Sequence, residues 1–395
     1  MISEVSFKNF KALRDVSTSL ERLTVFVGPN ASGKSSLLEG IHYLAQVSQH
    51  NPETVFIGPP APELLRGGDS DGKMEFYCRI GNVHLTLQIW SGSSLPETVR
   101  RRLHRDPRRG SVLQPAGGVE WGYERLVRSP FDNEPLPLEA ADETTRSLIQ
   151  GCGKAVLLKL EPSRLAAPSY VYPGVAPGVE SDGDGLATAL LYLKGNCENE
   201  FAQVQSELHE LVPAVRGLHF DKATVYKTEP EYHERDGTRT QTQTPRAYNG
   251  DALRFDTSSG SNIPARLMSE GTLMLLGILT VLHSPTRPQI VLIDDIDKAL
   301  HAKAQKMLVG LLHQLLDRHE DLQIAATTHS PYLLDGLEPE EVRLTTLDEN
   351  GDVVCAPLTE HPDFPKWKDE MTPGEFWSAV GEDWVREQAK AGAAS

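Results

Sequence analysis

Gly28-Pro29-Asn30-Ala31-Ser32-Gly33-Lys34-Ser35 decides how the chain is read, because it fits GxxxxGK[ST] and its flanks fit as well. Before it runs the apolar stretch Leu23-Thr24-Val25-Phe26-Val27. After it, Ser36 leads into Leu37-Leu38-Glu39, the glycine-free start of a helix. Glycines let the backbone curl so that successive N–H groups point at phosphate oxygens, and a helix beginning near Gly33 adds the positive end of its dipole. In that geometry Lys34 neutralises the β- and γ-phosphates of a nucleotide, and the Ser35 hydroxyl takes a place on Mg²⁺.

A chain of 395 residues has room for two or three domains. Apolar residues make up 39% of it, and no uninterrupted apolar run approaches about 18 residues, so no membrane span is read. The start, Met1-Ile2-Ser3-Glu4-Val5, lacks the basic stretch and apolar core of an export signal. Cys78, Cys152, Cys197 and Cys355 form no CxxC pair, which argues against a zinc site or a disulfide scaffold. A reducing cytoplasm is the expected setting. The formal charge of −16 speaks against a general nucleic-acid coat. One stretch reverses the sign, with Arg100, Arg101, Arg102, Arg105, Arg108 and Arg109 falling within ten residues. It reads as a solvated loop or hairpin tip, with a contact to a phosphate backbone or acidic partner as the alternative.

Residues 2–27 alternate in short apolar runs, as a small sheet leading to the phosphate loop should. A helix from Ser35 to about Gln46 precedes a loop rich in proline and glycine over residues 51–72. Met74–Ile80 and Val83–Trp90 then predict a hairpin across Gly81-Asn82. Residues 91–150 lack long periodic patterns and are read as an insertion, and Ala155–Leu160 as a buried strand ending at Pro162. In Ser181-Asp182-Gly183-Asp184-Gly185 the later glutamate ligand of a calcium loop is missing, which leaves a turn capping a helix from Leu186. Residues 198–212 predict an amphipathic helix carrying Phe201, Val204, Leu208 and Leu211, and no heptad pattern is sustained enough for a coiled-coil arm. The polar residues 227–262 read as a mobile loop or connector. Beyond them a helix from Glu270 to His283, a strand 289–293, a helix 302–319 and a strand 323–327 are expected.

Four apolar residues, Ile290 to Ile293, run into Asp294-Asp295, which is the Walker B pattern. A parallel strand buried on both faces is apolar along its length, and its C-terminal tip opens into the ligand crevice. Asp294 is therefore assigned to the metal and Asp295 to polarising the attacking water. His329, just past the tip of the last strand, reaches the γ-phosphate or that water. Ser269-Glu270-Gly271 opens an apolar helix as a second, serine-capped anion site.

GPNASGKSS, LMSEGT, IVLIDDID and ATTHSPYLLD, in this order and spacing, resemble the P-loop, signature, Walker B and switch-histidine motifs of ABC-type ATPases. They are closest to the RecF/SMC/OLD-like group, a likeness that extends to FKNFKAL at 7–13 and DGDGLATAL at 182–190. The resemblance implies an α/β P-loop NTPase of ABC type, with a mixed and parallel sheet flanked by helices, an inserted arm or lobe and a short C-terminal tail. It also implies a head-to-tail homodimer or higher oligomer around ATP and Mg²⁺. There Ser269, Glu270 and Gly271 of one copy close on the γ-phosphate held by Lys34, Ser35, Asp294 and His329 of the other.

Two residues depart from the group's pattern. Glu161 stands where the Q-loop glutamine is expected, and Asp295 stands where glutamate is usual. Losing one methylene draws the base back by about 1.5 Å, a misplacement worth on the order of 100-fold in rate, so hydrolysis is expected to be slow. The TOPRIM domain of OLD-like nucleases does not fit in the residues after His329, which implies a separate nuclease-like effector. The expected organisation is an N-terminal lobe over 1–90, an inserted region over 91–262, a C-terminal lobe over 263–360 and an aromatic, acidic tail over 361–395. Phe364, Trp367, Phe376, Trp377 and Trp384 of that tail either pack on the body or anchor a partner. The expected function is an ATP-driven switch on a DNA-related or anti-phage effector. The rivals are a repair ATPase that clamps DNA directly and a nucleotide-sensing scaffold with negligible turnover.

Overall fold

The computed structural model describes residues 1–56, 64–65, 72–106, 110–113, 121–129, 134–171, 174, 176–235 and 238–393. Contacts divide the chain into two units. The first comprises Met1–Leu157, Pro288–Asp297 and Gln305–Ser395; the second comprises Leu158–Arg287 and Lys298–Ala304.

In the first unit, strands with one buried face build an antiparallel sheet. β1 (Ile2–Phe10) and β2 (Leu13–Ser19) precede β3 (Leu23–Val27), which belongs to a different sheet. Helix α1 (Lys34–Gln49) and the single turn α2 (Pro52–Val55) follow. β4 (Gly72–Ile80) and β5 (Val83–Ser91) form the expected hairpin across Gly81. Residues 91–150, read as an insertion, extend this sheet. α3 (Glu97–Arg105) leads to β6 (Gly110–Leu113) and β7 (Trp121–Arg128), with β8 (Leu136–Pro137) beside β7 and α4 (Glu143–Gly151) after it. The strand order is β2-β1-β4-β5-β7-β6. Because β7 pairs along the length of β5, residues 91–157 stay with the first unit, whereas the sequence suggested a boundary near 90.

β9 (Ala155–Leu158) belongs to the second, mostly parallel sheet of this unit, together with β13 (Ile290–Ile293), β14 (Gln323–Thr328), β15 (Val342–Leu347) and β16 (Val353–Pro357). Its order is β16-β15-β3-β14-β13-β9. β3, β13 and β14 are buried at every residue, as parallel strands covered on both faces must be. Leu37, Leu38, Ile41, Leu44 and Val47 of α1 join Phe7, Phe76 and Leu87 from the antiparallel sheet and Phe26, Leu292 and Ala325 from the parallel one in a single core.

The second unit opens with α5 (Pro162–Leu165), α6 (Leu186–Asn196) and α7 (Glu198–Leu211). α6 starts where the turn at Gly185 was expected to cap it, and α7 buries Phe201, Val204, Leu208 and Leu211. Outside residues 236–237, most of the segment read as a connector is strand. β10 (Val215–Arg235) and β11 (Thr238–Thr257) pair antiparallel from Val215↔Thr257 out to Arg235↔Thr238, a ribbon about 65 Å long. Thr228↔Pro245 and Pro230↔Gln243 fall within that ladder. β12 (Gly260–Pro264) adds only to its base, and α8 (Glu270–Leu282) follows.

α9 (Ala302–Arg318) and the short α10 (Pro331–Leu334) flank β14 in sequence. The tail forms α11 (Phe364–Trp367), α12 (Pro373–Val380) and α13 (Asp383–Ala393). It packs on its own unit. Phe364, Phe376 and Trp384 are buried, and His361 meets both Phe376 and Trp384 edge-on, while Trp367 stays 42% exposed. Among the described residues no helix is long and apolar enough to cross a membrane.

Candidate functional site

β3, β14 and β13 lie side by side and parallel, in a register that brings Val27 opposite Thr328 and Ile293 opposite Ala326. Their carboxyl tips therefore open together. Each continues into one of the motifs read from the sequence, and this edge is where open α/β sheets place ligands.

Gly28 (φ 155°), Ala31 (φ 64°) and Gly33 (φ 86°) turn the loop after β3. A Cβ at Gly28 would lie 2.0 Å from the Thr345 carbonyl oxygen, and one at Gly33 would lie 2.6 Å from Val353 Cγ2. The loop is thus backed by β15 and β16, and Ser32 Oγ meets Thr345 Oγ1 at 2.7 Å. Pro29, Asn30 and Ala31 are exposed along its rim, and Ser36 is half-buried in the first turn of α1. Lys34 Nζ donates to the Gly28 and Pro29 carbonyls at 2.9 and 2.8 Å. Burial pushes its pKa below the ordinary value, opposed by the charges of Asp295, Asp294, Asp297 and Glu382.

Ser35 Oγ donates to Asp294 Oδ1 at 2.9 Å across 259 positions of sequence. Thr327 Oγ1 donates to the same oxygen at 2.7 Å and accepts from the Asp295 N–H at 2.8 Å, so one hydroxyl fixes both tip acids. Asp295 takes a left-handed backbone (φ 53°), unusual away from glycine, and its half-exposed carboxylate stands 3.9 Å from His329 Nε2. Asp297 Oδ1 accepts from Thr328 Oγ1 at 2.6 Å and from the His329 N–H at 3.3 Å. Ser330 Oγ donates to Gln305 of α9 at 2.6 Å. The Ser35 hydroxyl and Asp294 carboxylate converging beside the loop are hard oxygen donors of the kind Mg²⁺ prefers.

The remaining sequence assignments lie in the second unit or away from these tips. Ser269 caps α8, accepting from the Thr272 N–H at 3.3 Å, with Glu270 exposed in its first turn. A Cβ at Gly271 would lie 2.4 Å from the Ala299 carbonyl oxygen, so glycine is required there for close packing. Glu161 precedes α5 in extended conformation with its side chain exposed, and its N–H donates to Asp182 O at 2.8 Å.

The arginine stretch is a helix, α3, where a loop or hairpin tip was expected. Glu97 lies three and four residues before Arg100 and Arg101, and it pairs with them at 3.2 and 2.9 Å. Arg102 bonds the buried Glu124 at 2.7 Å, and Arg105 closes the last turn. Arg108 and Arg109 lie outside the described residues. Three of these arginines are thus paired within the chain, two of them at its surface.

Thr327, Asp297, Gln305 and Thr345 were missed from sequence. The first two had a signal, Thr327-Thr328 and Asp297 being polar residues at apolar strand tips. The other two are brought in by tertiary pairing that no local pattern announces.

Comparisons with known proteins bear on the family and the fold. Residues 199–335 match the family described as "AAA domain, putative AbiEii toxin, Type IV TA system", and residues 1–86 match the family described as "AAA ATPase domain". Over 89 residues the chain is 30% identical to the DNA replication and repair protein RecF of Bacillus cytotoxicus, covering 22% of each, and 29% identical to that of Bacillus thuringiensis. The chain thus spans about a fifth of the length of the curated relatives it matches. A solved SMC head, bound to the C-winged helix domain of ScpA, superimposes with a TM-score of 0.50 over 91% of this chain and 99% of that one, at 12% identity.

Proposed function

We propose, from the premise that this chain is an ABC-type ATPase of the RecF/SMC-like kind, that it binds Mg-ATP between two copies and hydrolyses it slowly to switch a separate effector. The observation that carries this reading is the meeting of Ser35 with Asp294, tied through Thr327 to Asp295. Residues 28–36 wrap the phosphates, with Lys34 exchanging its two carbonyl partners for phosphate oxygens. Ser35 and Asp294 hold Mg²⁺, which when bound supplies positive charge to the β- and γ-phosphate oxygens. Asp295 and His329 position the attacking water. Ser269, Glu270 and Gly271 reach the γ-phosphate of the other copy, and Glu161 takes the place of the Q-loop residue.

Slow turnover follows from the short Asp295 side chain, and a rate near 0.1 per second, roughly 100-fold below a typical enzyme, is expected. The RecF relatives are named for DNA replication and repair and one matched family for a toxin–antitoxin system, which supports a DNA-related or defense effector in the cytoplasm. Direct DNA clamping by α3 is the weaker reading, since three of its arginines are already paired.

Light scattering with a non-hydrolysable ATP analogue tests the proposal. The intact chain should give dimer mass, while Lys34→Ala and Ser269→Arg should remain monomeric. An intact chain that stays monomeric with the analogue bound refutes the sandwich.

A further inference from the structure

The segments that leave β13 and β14 clasp each other, and only part of that clasp serves the two tip acids. The Asp295 N–H donates to Thr327 Oγ1 at 2.8 Å and the Ile296 N–H to the Thr327 carbonyl at 3.0 Å, so the first segment hangs on the end of the second strand. With the chain turned at Asp295 (φ 53°), Asp297 comes back to the tip of β14. There its Oδ1 accepts from Thr328 Oγ1 at 2.6 Å and from the His329 N–H at 3.3 Å. Thr328 Oγ1 in turn accepts from the Ser330 N–H at 3.0 Å. One carboxylate oxygen therefore gathers residues 328–330, directly at His329 and through a hydroxyl at Ser330.

The far end of the segment is fixed separately, where Ser330 Oγ donates to the buried Gln305 of α9 at 2.6 Å. His329 is held between these two anchors while its half-exposed imidazole faces Asp295, 3.9 Å from Nε2 to the carboxylate. A histidine side chain turns only about its two χ bonds, so a fixed backbone decides where the ring can stand. Thr328 is fully buried, and a buried hydroxyl left without its acceptor costs free energy, so removing Asp297 would shift the segment. In the proposed reaction Asp294 meets the metal and Asp295 the water, which leaves Asp297 without a chemical task.

We propose that Asp297 is a positioning residue for His329, whose backbone its Oδ1 holds so that the imidazole is set against Asp295 and the attacking water. The role needs a hydrogen-bond acceptor at that place and not a negative charge, which separates it from that of a metal ligand or a base. This inference rests on the reading that His329 serves the attacking water.

Steady-state ATP turnover of the full chain and its variants, with ATP affinity read from displacement of a fluorescent analogue, is the test. Asp297→Ala should lower kcat by roughly 30-fold with affinity held within about twofold, since the loss is one of placement. Asp297→Asn, which keeps Oδ1 as an acceptor, should recover turnover to within about threefold of the intact chain. In a chain that already carries His329→Ala, Asp297→Ala should cost less than about twofold more, because the residue it positions is gone. An Asp297→Asn variant as slow as Asp297→Ala overturns the proposal by assigning the role to charge. So does a full additional loss in the His329→Ala background, and so does weakened affinity with kcat unchanged. Should Asp297→Ala not fold, Thr328→Val removes one of the two bonds and is read the same way, with an expected loss of about fivefold. Turnover unaffected by His329→Ala refutes the reading of the histidine and this inference with it, whereas a slow His329→Ala beside an Asp297→Ala of normal rate refutes the inference alone.

Discussion

The parallel strands β3, β13 and β14 and the ribbon β10–β11 are both β-structure, yet they are held by opposite means. Every residue of the parallel strands is buried, and apolar area removed from water stabilises them. The ribbon is mostly exposed along its described outer part, with Tyr226 at 73%, and continuous cross-strand pairing maintains it. The first region positions the candidate site at its tips and tolerates little change. The second is a long surface that tolerates much.

A pair of substitutions puts the sharpest strain on that contrast. Leu292→Ala, in the middle of β13, should destabilise by about 2–5 kcal/mol, while Tyr226→Ala should stay within about 0.5 kcal/mol. Chemical denaturation of both measures the difference, and similar losses would erase the distinction. At the strand tips, Lys34→Ala should lower ATP affinity by roughly 100-fold, and shortening the ribbon by replacing residues 228–245 with a tight turn should leave that affinity unchanged. Titration calorimetry on both checks this.

A smaller effect is expected at the next tip. Asp295→Glu should raise turnover by about tenfold by restoring the missing methylene, and a variant no faster than the parent would mean that the left-handed backbone there, not side-chain length, limits the rate. The smallest effect belongs to α9, where His313 bonds Glu341 at 2.9 Å and has its pKa raised above the ordinary 6.5 by that hydrogen bond. A raised histidine pKa stabilises the fold fully below pH 6.5, and that stabilisation fades as pH rises through the shifted value. His313→Gln should therefore cost under about 1 kcal/mol at pH 5.5 and less at pH 8.5, read from melting curves at the two values.

The same contrast explains what was legible in the sequence. Leu23–Val27 and Ile290–Ile293 announce themselves because burial on both faces demands unbroken apolar residues, and the motifs at their tips follow from that. The ribbon hides because polar composition reads as loop. Its signal was the period-two threonine at Thr238, Thr240, Thr242 and Thr244, which suits a strand better than a connector. The arginine stretch misled in a similar way. Glu97 at helical spacing before Arg100 and Arg101 marks a helix, but the density of like charge drew the reading toward a loop. What no local pattern could supply were the long-range partners, Thr345 behind Ser32 and the tail's Gly374 against Pro331, which exist only once the sheet is assembled.

Two prolines give the ribbon one more property. Pro230 and Pro245 have no amide hydrogen to give, and the ladder admits them only where that hydrogen would point outward, away from the partner strand. Each strand therefore carries a gap in its outer row of donors, one per rim. A stray extended peptide, or another molecule's ribbon, finds no continuous rail to zip onto. Each rim of the ribbon is by that gap a poorer template for edge-to-edge pairing than an unbroken strand of the same length would be.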